Sequence, residues 1–467
     1  MTLVTSYDDT DRLGRIRLSF TGYDALADYA VVERSLDQVN WTVIRGGDTV
    51  PLTGGAGSID DYEFAANQLN YYRVTAWNTG GAHFVGKGTA AAADNASVVP
   101  TIPAGSQAGD LMYLYVANRS FTATVNTPAG WTLSLNFNHV RVFEKIHSGS
   151  ESNPTVSFTG SVAGDTCQAQ IATFRFVKMT SLNIQSAFNN SQDIPFPSIH
   201  PAVYTDPMML AIAFGWKQDD CTSVDPVPGW NDIDEATSAL GNDQTIVWAY
   251  QNFREEAPAG TFVVQGGTST SNRGLVGAWE ATYTNRETTS ITPVVTRYRL
   301  KCPTRPSLNM FIEPVQDSFR ITRPARTGVF DVLSRTLPVA VTDLQGSRRF
   351  ALKIDVKGDQ NKADTDNRLS TGQVYFLQPP SPTEALPTAY VVLGDVGLIL
   401  DTPYFSDSYT FALDMTEVAA PASSVFGGTT IWQDIINDFA TWSDLIAAEP
   451  TWADVIDRIS DSDVIVP

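Results

Sequence analysis

The feature that most constrains this chain is a pattern written twice between residues 98 and 283. Its first statement is Gly109-Asp110-Leu111-Met112-Tyr113-Leu114-Tyr115-Val116, a polar stretch, and Pro128-Ala129-Gly130-Trp131. Its second is Asp206-Pro207-Met208-Met209-Leu210-Ala211-Ile212-Ala213, a polar stretch, and Val227-Pro228-Gly229-Trp230. After each Gly-Trp comes an alternating segment, Val140-Arg141-Val142-Phe143 and Ile246-Val247-Trp248-Ala249. A Pro- or Gly-led segment then begins at Pro154 or Gly260, and a closing apolar one at Gln170 or Val276. The offset stays near about a hundred residues throughout, the sign of a repeated architecture. Each half offers only four or five short strands, too few to close a core alone. The two halves are therefore expected to form one two-sheet β-sandwich of jelly-roll type.

A chain of 467 residues is too long for one sandwich and predicts three or four domains. With 43% apolar and 18% charged residues it has the composition of a folded protein. Thr, Ser, Val and aromatics between recurring Gly and Pro point to many short strands. A formal charge of −20 argues against general nucleic-acid binding. No basic-then-apolar segment opens the chain, and its longest apolar runs fall short of the ~20 residues that cross a bilayer. Cys167, Cys221 and Cys302 have no metal-type spacing and read as buried thiols of a protein made in a reducing cytosol.

Residues 1–93 resemble a fibronectin type III module. Arg15-Ile16-Arg17-Leu18-Ser19-Phe20 alternates as an opening strand, and the segments at Tyr29 and Asn40 resemble the family's central strands. Leu69-Asn70-Tyr71-Tyr72-Arg73-Val74-Thr75-Ala76-Trp77 is similar to its sixth strand, where a tyrosine packs at the sandwich corner. Residues 90–96 read as a small-residue linker and residues 286–292 as a Thr-rich one.

A third domain follows, with strands expected at 296–302, 317–322, 336–341, 349–356, 372–378, 389–395 and 409–414. Between Arg297 and Lys357 stand twelve Lys/Arg and five Asp/Glu, a balance of +7 inside an acidic chain. Such a stretch suits complementary contacts between subunits or a polyanion ligand, or is simply a solvated basic face. Asp355, Asp359, Asn361, Asp364 and Asp366 form an oxygen-rich stretch with no Gly-centred twelve-residue pattern. It reads as a solvated turn, with a Ca²⁺ loop as the alternative.

Residues 427–467 repeat a smaller unit around Trp432, Trp442 and Trp452, each followed by an acid and an aliphatic pair ending in Ile436, Ile446 or Ile456. Thr441 with Asp444, and Thr451 with Asp454, have the spacing of a helix cap. Short helices are expected, each with apolar groups it cannot bury alone. With eight acids and one arginine, the segment reads as a docking tail whose six Trp and Ile anchors fill a partner's grooves. Folding back onto the chain's own domains is the other reading.

In this order of parts the chain resembles minor tail proteins of long-tailed bacteriophages, especially those of actinobacteria. Residues 326–343, Gly372-Gln373-Val374-Tyr375-Phe376-Leu377-Gln378-Pro379, Gly394-Asp395-Val396 and Phe411-Ala412-Leu413-Asp414-Met415-Thr416-Glu417-Val418 carry the resemblance, with the Thr-Trp tail. It implies a structural component of a tail tip: made in the host cytoplasm, housed in the virion, joined to other tail proteins and self-assembled as a trimer or hexamer. Host cell-wall glycan is a further implied partner. Specific nucleic acid and membrane insertion are not.

No catalytic constellation stands against that reading. His83, His139, His147 and His200 are scattered, and no nucleophile elbow or phosphate loop is present. The acid pairs Asp60-Asp61, Asp219-Asp220 and Glu255-Glu256 are neighbours in sequence, whereas a glycosidase needs two carboxyls across a cleft. The chain is thus expected to be non-enzymatic and to need no cofactor. A carbohydrate-binding adhesin or receptor-binding protein is the alternative, a cell-wall glycoside hydrolase a more distant one. Trp131 and Trp230 are packing residues set by the fold or, on the adhesin reading, sugar-stacking platforms. The expected fold is all-β and multi-domain. Its parts are a fibronectin III-like sandwich (1–93), a jelly-roll-like sandwich of two halves (94–285), a β-rich assembly domain (286–426) and short C-terminal helices (427–467).

Overall fold

Alternating apolar residues in short segments between Gly and Pro leave strands as the only regular structure most of this chain can form, and its fold is all-β. The computed structural model describes every residue except 11–12, 190, 201–207, 269–270, 317, 326, 331–335, 337–338, 343–345, 381–385, 401–407, 422–438, 440 and 449–467. No helix among the described residues is long and apolar enough to cross a membrane. Two compact units emerge. One joins Met1–Ala25, Ala30–Thr75 and Arg286–Pro467; the other is Leu26–Tyr29 with Ala76–Asn285. The two ends of the chain thus make one body, and the repeated middle is inserted into it.

In the end-built body, Thr2–Asp8, Arg15–Thr21 and Gly57–Asp61 form one sheet of the N-terminal sandwich. The facing sheet orders Asn285–Ile291, Asn70–Trp77, Tyr29–Ser35 and Thr42–Val43, with Val50–Pro51 also on Tyr29–Ser35. Period-two alternation sends Ile16, Leu18 and Phe20 inward to meet Val32, Tyr72 and Val74, all 0% exposed. The buried Tyr72 hydroxyl donates to Asp61 at 2.7 Å. Asn285–Ile291 lies beside Asn70–Trp77 although the whole inserted unit separates them in sequence. Residues 286–292, expected as a linker, are therefore the closing strand of the first sandwich.

The C-terminal part is a seven-stranded sheet. Its order is Met310–Ile312, Tyr298–Lys301, Val374–Gln378, Ala389–Leu400, Ser408–Val418, Arg349–Lys357 and Arg320–Thr322. Val339–Thr342 pairs with Thr327–Phe330 in a separate ribbon, so each expected strand of this region has a counterpart. One face buries Leu300, Leu377, Val391, Leu352 and Leu413 under Leu369 of the helix Asp359–Leu369. That helix corrects the reading of 355–366 as a turn or loop. Asp364 pairs with Arg368 at i,i+4 (3.0 Å), Asp355 accepts from Thr410 Oγ1 (2.8 Å), and Asp359 accepts from the Tyr409 hydroxyl. Spread along a helix and a strand, these oxygens do not surround one point.

The inserted unit keeps the repeat. Its first large sheet orders Thr132–Phe137, Val140–Ile146, Leu111–Asn118 and Thr166–Arg175, edged by His83–Lys87 and Ala91–Asp94. The second orders Asn231–Ser238, Gln244–Phe253, Met209–Lys217, Asn272–Ala281 and Val177–Asn189, the same sequence of roles. Residues 90–96 are thus no linker: Ala93 sits opposite Cys167 and Ala91 opposite Ala169. The first boundary falls at 75/76 rather than 93, because an alanine run carries no β signal until a neighbouring strand pairs with it.

The large sheets face each other as expected, Tyr113 and Tyr115 meeting Phe214, Trp248 and Trp279. Each half also closes a core of its own, which the strand count had not allowed. Met112, Leu114 and Val116 pack outward on Val98, Val125 and Val156, under the pair Thr124–Asn126 and Ser157–Thr159. Met209, Ala211 and Ala213 pack on Phe196 and Phe262, under Ile194–Phe196, Gly260–Gln265 and Ser223–Asp225. The result is four layers and three cores. Leu111–Asn118 and Met209–Lys217 are buried on both faces, which is why they read as unbroken apolar runs.

Candidate functional site

The docking tail was the strongest expectation. Of its six anchors Trp442 and Ile446 lie within the described residues; Trp432, Ile436, Trp452 and Ile456 lie outside them. A helix spans Trp442–Ala448, started by the expected cap. The Asp444 carboxylate accepts from Thr441 N (3.0 Å) and its hydroxyl (2.8 Å), while Asp444 N donates to Thr441 Oγ1 (3.3 Å). The helix buries Leu445 (2% exposed) against Phe439 and leaves Trp442 60% and Ile446 63% exposed. Trp442 and Ile446 lie about 40° apart around the helix, with Asp444 about 200° from Trp442. Sequence reasoning chose the Trp–Ile pair as the anchors, whereas among the described residues of this turn it is Leu445 that is buried.

Trp131 and Trp230 occupy equivalent places, each only 7% exposed in the core of its own half. Gly130 (φ 78°) and Gly229 (φ 82°) take the left-handed turn before each, where a side chain would be strained. Trp131 N donates to Pro128 O, and Trp230 N to Val227 O, at 3.1 and 3.0 Å. Neither ring has an open face for a sugar, and packing is the role the structure gives them.

The other titratable groups are mostly absorbed by the fold. Asp60 holds Arg15 and Arg17 at 2.8 and 3.0 Å, and Asp61 holds Arg34 at 2.7 Å. His139 lies flat on Trp216, ring centroids 4.0 Å apart, and burial lowers its pKa. His147 Nδ1 accepts from Gly149 N, and His200 faces Glu256 at 2.9 Å on the surface. The Asp219-Asp220 pair gains a third member, Asp243, with carboxylate oxygens within 4.8 Å of one another. Burial, then Asp220 and Asp219, raise the Asp243 pKa. Arg119 donates to the Asp243 carbonyl at 3.1 Å and brings a cation to the same corner. Nothing in the sequence links 219–220 to a turn so far along the chain.

What the sequence missed most is the joint inside the end-built body. Arg299 and Lys301, counted as part of an exposed basic stretch, are 1% and 0% exposed. They point off the seven-stranded sheet onto the first sandwich. Lys301 Nζ donates to Tyr62 O (3.0 Å) and lies 4.1 Å above the Phe64 ring. Arg299 pairs with Asp9 and donates to the Tyr7 hydroxyl (2.8 Å), but its Nε and Nη1 have no partner among the described residues. Burial and then the neighbouring Arg299 push the Lys301 pKa well below its ordinary value; Asp61 and Glu63 oppose this. Around these cations, Gln378 Nε2 donates to Phe64 O, Asn309 Nδ2 to Leu13 O, and Arg45 grips Glu63 (2.9 Å). A cleft of roughly 630 Å³ opens beside the joint, lined by Arg34, Asn40, Gln68, Phe376, Gln378 and Tyr390. Glu63 and Asp37, also in its wall, are already spent: Glu63 on Arg45 and Tyr390, Asp37 on Ser35, Val39 and Asn40.

Compared with protein-family models and with curated proteins, the chain matches none.

Proposed function

We propose that this chain is a structural, non-catalytic component of a phage tail tip, acting in the virion. The end-built body serves there as the assembly platform and the inserted unit as the host-facing module. The observation that carries the reading is the insertion itself: a complete four-layer unit sits between two hydrogen-bonded neighbour strands of the first sandwich. A platform that must hold fixed contacts while carrying a second module gains from having its own ends sealed together by a buried joint. Two of the strands bearing the tail-protein resemblance, Val374–Gln378 and Ser408–Val418, lie in the middle of the platform's sheet, while residues 326–343 contribute the separate ribbon of Thr327–Phe330 and Val339–Thr342. They supply its core rather than a reaction centre. Other tail proteins are the proposed partners, with trimeric or hexameric self-association and the Trp-bearing tail to dock.

The test pairs imaging with chemistry. Labelled chain is expected at the tail tip of particles, and purified chain incubated with host cell walls is expected to release no sugar or peptide. Release that disappears when one acid is changed would overturn the structural reading. Glycan binding without turnover would instead assign the chain to the adhesins.

A further inference from the structure

We propose that the acidic C-terminal segment, residues 429–467, docks through its carboxylates on a row of cations on its own chain's seven-stranded sheet. The row follows from alternation. In Arg349–Lys357 the residues Phe350, Leu352 and Ile354 turn into the core at 1% exposure each, so Arg349, Lys353 and Lys357 fall on the opposite, exposed face. Arg320 pairs opposite Ala351 on the neighbouring strand and joins them on that face. None of these four side chains has a hydrogen-bond, ion-pair or ring partner among the described residues. Three carboxylates share the face: Asp414 opposite Ala351, the exposed Asp395 in the bulge beside Asp414, and Asp355, which accepts from Thr410. Four cations against three acids leave this face positive on a chain of net charge −20, and the tail, with eight acids and one arginine, is its complement.

Where the chain leaves the sheet decides between its own tail and a second copy's. Ser408–Val418 is the direct neighbour of the cation strand, with Thr416 opposite Arg349 and Glu417 N bonded to Arg348 O. The tail thus departs at one end of the row. The row runs about 27 Å at ~3.3 Å per residue. The residues between the sheet and the Trp442 helix span up to ~70 Å when extended. Tethering at that range gives an effective concentration of order millimolar, far above that of a free second copy. With Asp444 about 200° from Trp442, a helix seated on the row by its acids presents Trp442 and Ile446 outward. That last step rests on the reading of the tail as a docking element; the seating itself does not.

Carbodiimide crosslinking of the full chain, read by mass spectrometry, tests the seating. Expected are links from Lys353 or Lys357 to carboxylates of residues 434–463 in the monomer fraction at low salt, falling about fivefold or more by 0.5 M NaCl as screening shortens. The variant Arg320→Glu with Arg349→Glu leaves both reporter lysines in place and is expected to cut those links about tenfold while the thermal midpoint holds. Should that variant unfold, the salt series on the native chain decides. Absence of tail-to-lysine links, links indifferent to salt, or links confined to dimers would each overturn the proposal, the last in favour of a second copy's tail. If the links stand but deleting residues 429–467 leaves particle incorporation unchanged, the docking function fails and the seating survives.

Discussion

Each unit contains a buried polar seam, and the two are built on opposite terms. At the seam between the halves of the inserted unit, three indoles each give their N–H to a side-chain oxygen: Trp248 to Gln170 (2.9 Å) and Trp279 to Glu144 (2.6 Å) across it, and Trp216 to Gln244 (2.9 Å) within the second half, Gln244 in turn donating across to Thr166 O (3.2 Å). Large apolar area and the three satisfied indole donors act together there, with the Tyr113 hydroxyl beside Trp279 left without a hydrogen-bond partner among the described residues. In the end-built body the joint encloses two cations, with two Arg299 nitrogens unpartnered among the described residues and Lys301 held by one carbonyl. A buried charge without a full set of partners costs stability, whereas a buried neutral donor with its acceptor costs little. The inserted unit should therefore be the more robust, and the end-built body the one whose stability rises with pH.

The largest effect should come from breaking the favourable seam. Trp279 is 0% exposed, and Trp279→Ala is expected to destabilise the inserted unit by about 3–5 kcal/mol, since it opens a cavity and takes from Glu144 the indole donor, leaving it Ser134. Calorimetry of the full chain should show one transition moving down and the other unmoved. A single transition that shifts as a whole would mean the units do not unfold independently.

That contrast was only half legible in the sequence. The repeat and its strand order could be read because Leu111–Asn118 and Met209–Lys217 are buried on both faces and so apolar throughout. The outer layers could not, since segments of three residues such as Thr124–Asn126 are too short to show a period. Asn285–Ile291 looked like a linker because an edge strand with alternating partial exposure needs few apolar residues; its partner was fixed far upstream. Arg299 and Lys301 were misplaced for a different reason. A charge count gives the sign of a stretch but not its burial, and on a strand two cations at i and i+2 share whichever face the fold assigns. The helix at Trp442 was legible through its cap, but which apolar side chain it covers was set by Phe439, outside the repeated unit.

Lys301 offers the next largest effect and the sharper test. Its pKa is depressed by burial in the folded state, whereas the unfolded chain holds that proton up to about pH 10.4. Between those two values the unfolded state binds more protons, so the stability of the end-built body should rise with pH, by up to ~1.4 kcal/mol per unit inside that window. Lys301→Met keeps the stem's packing and removes the charge. It should be stabilising by about 1–2 kcal/mol at pH 7 and should flatten the rise with pH that the native chain shows below about pH 10 in urea titrations. An unchanged slope would show that another group is responsible.

Glu144 is the one charge-bearing member of the favourable seam, 3% exposed, with its pKa raised by burial. Here the sign reverses. The folded state keeps the proton above the ordinary carboxyl value, so this group's contribution is present at low pH and declines as pH rises through the folded pKa. Glu144→Gln retains an oxygen for Trp279 and should stabilise the inserted unit by about 1 kcal/mol at pH 7, with little change at pH 4. Equal effects at both pH values would mean the carboxyl is ionised throughout.

The smallest effect should fall on the repeat's own signature. Trp230 sits in an outer core against Phe196 (ring centroids 5.0 Å apart), and its Nε1 has no hydrogen-bond partner among the described residues. Replacing it with Phe removes an unsatisfied donor along with part of a ring, and the two changes oppose each other. Trp230→Phe should therefore lie within about 1 kcal/mol of the native chain. Trp279→Phe loses similar volume but takes the indole donor from the buried Glu144 carboxyl, which keeps Ser134, and should cost about 1–3 kcal/mol more. The pair holds side-chain chemistry constant and varies only whether the indole N–H is used, so comparing their urea midpoints isolates the hydrogen bond from the packing. Equal losses at both sites would show that packing volume alone sets the cost, and that the indole–oxygen pairs between the halves add nothing to it.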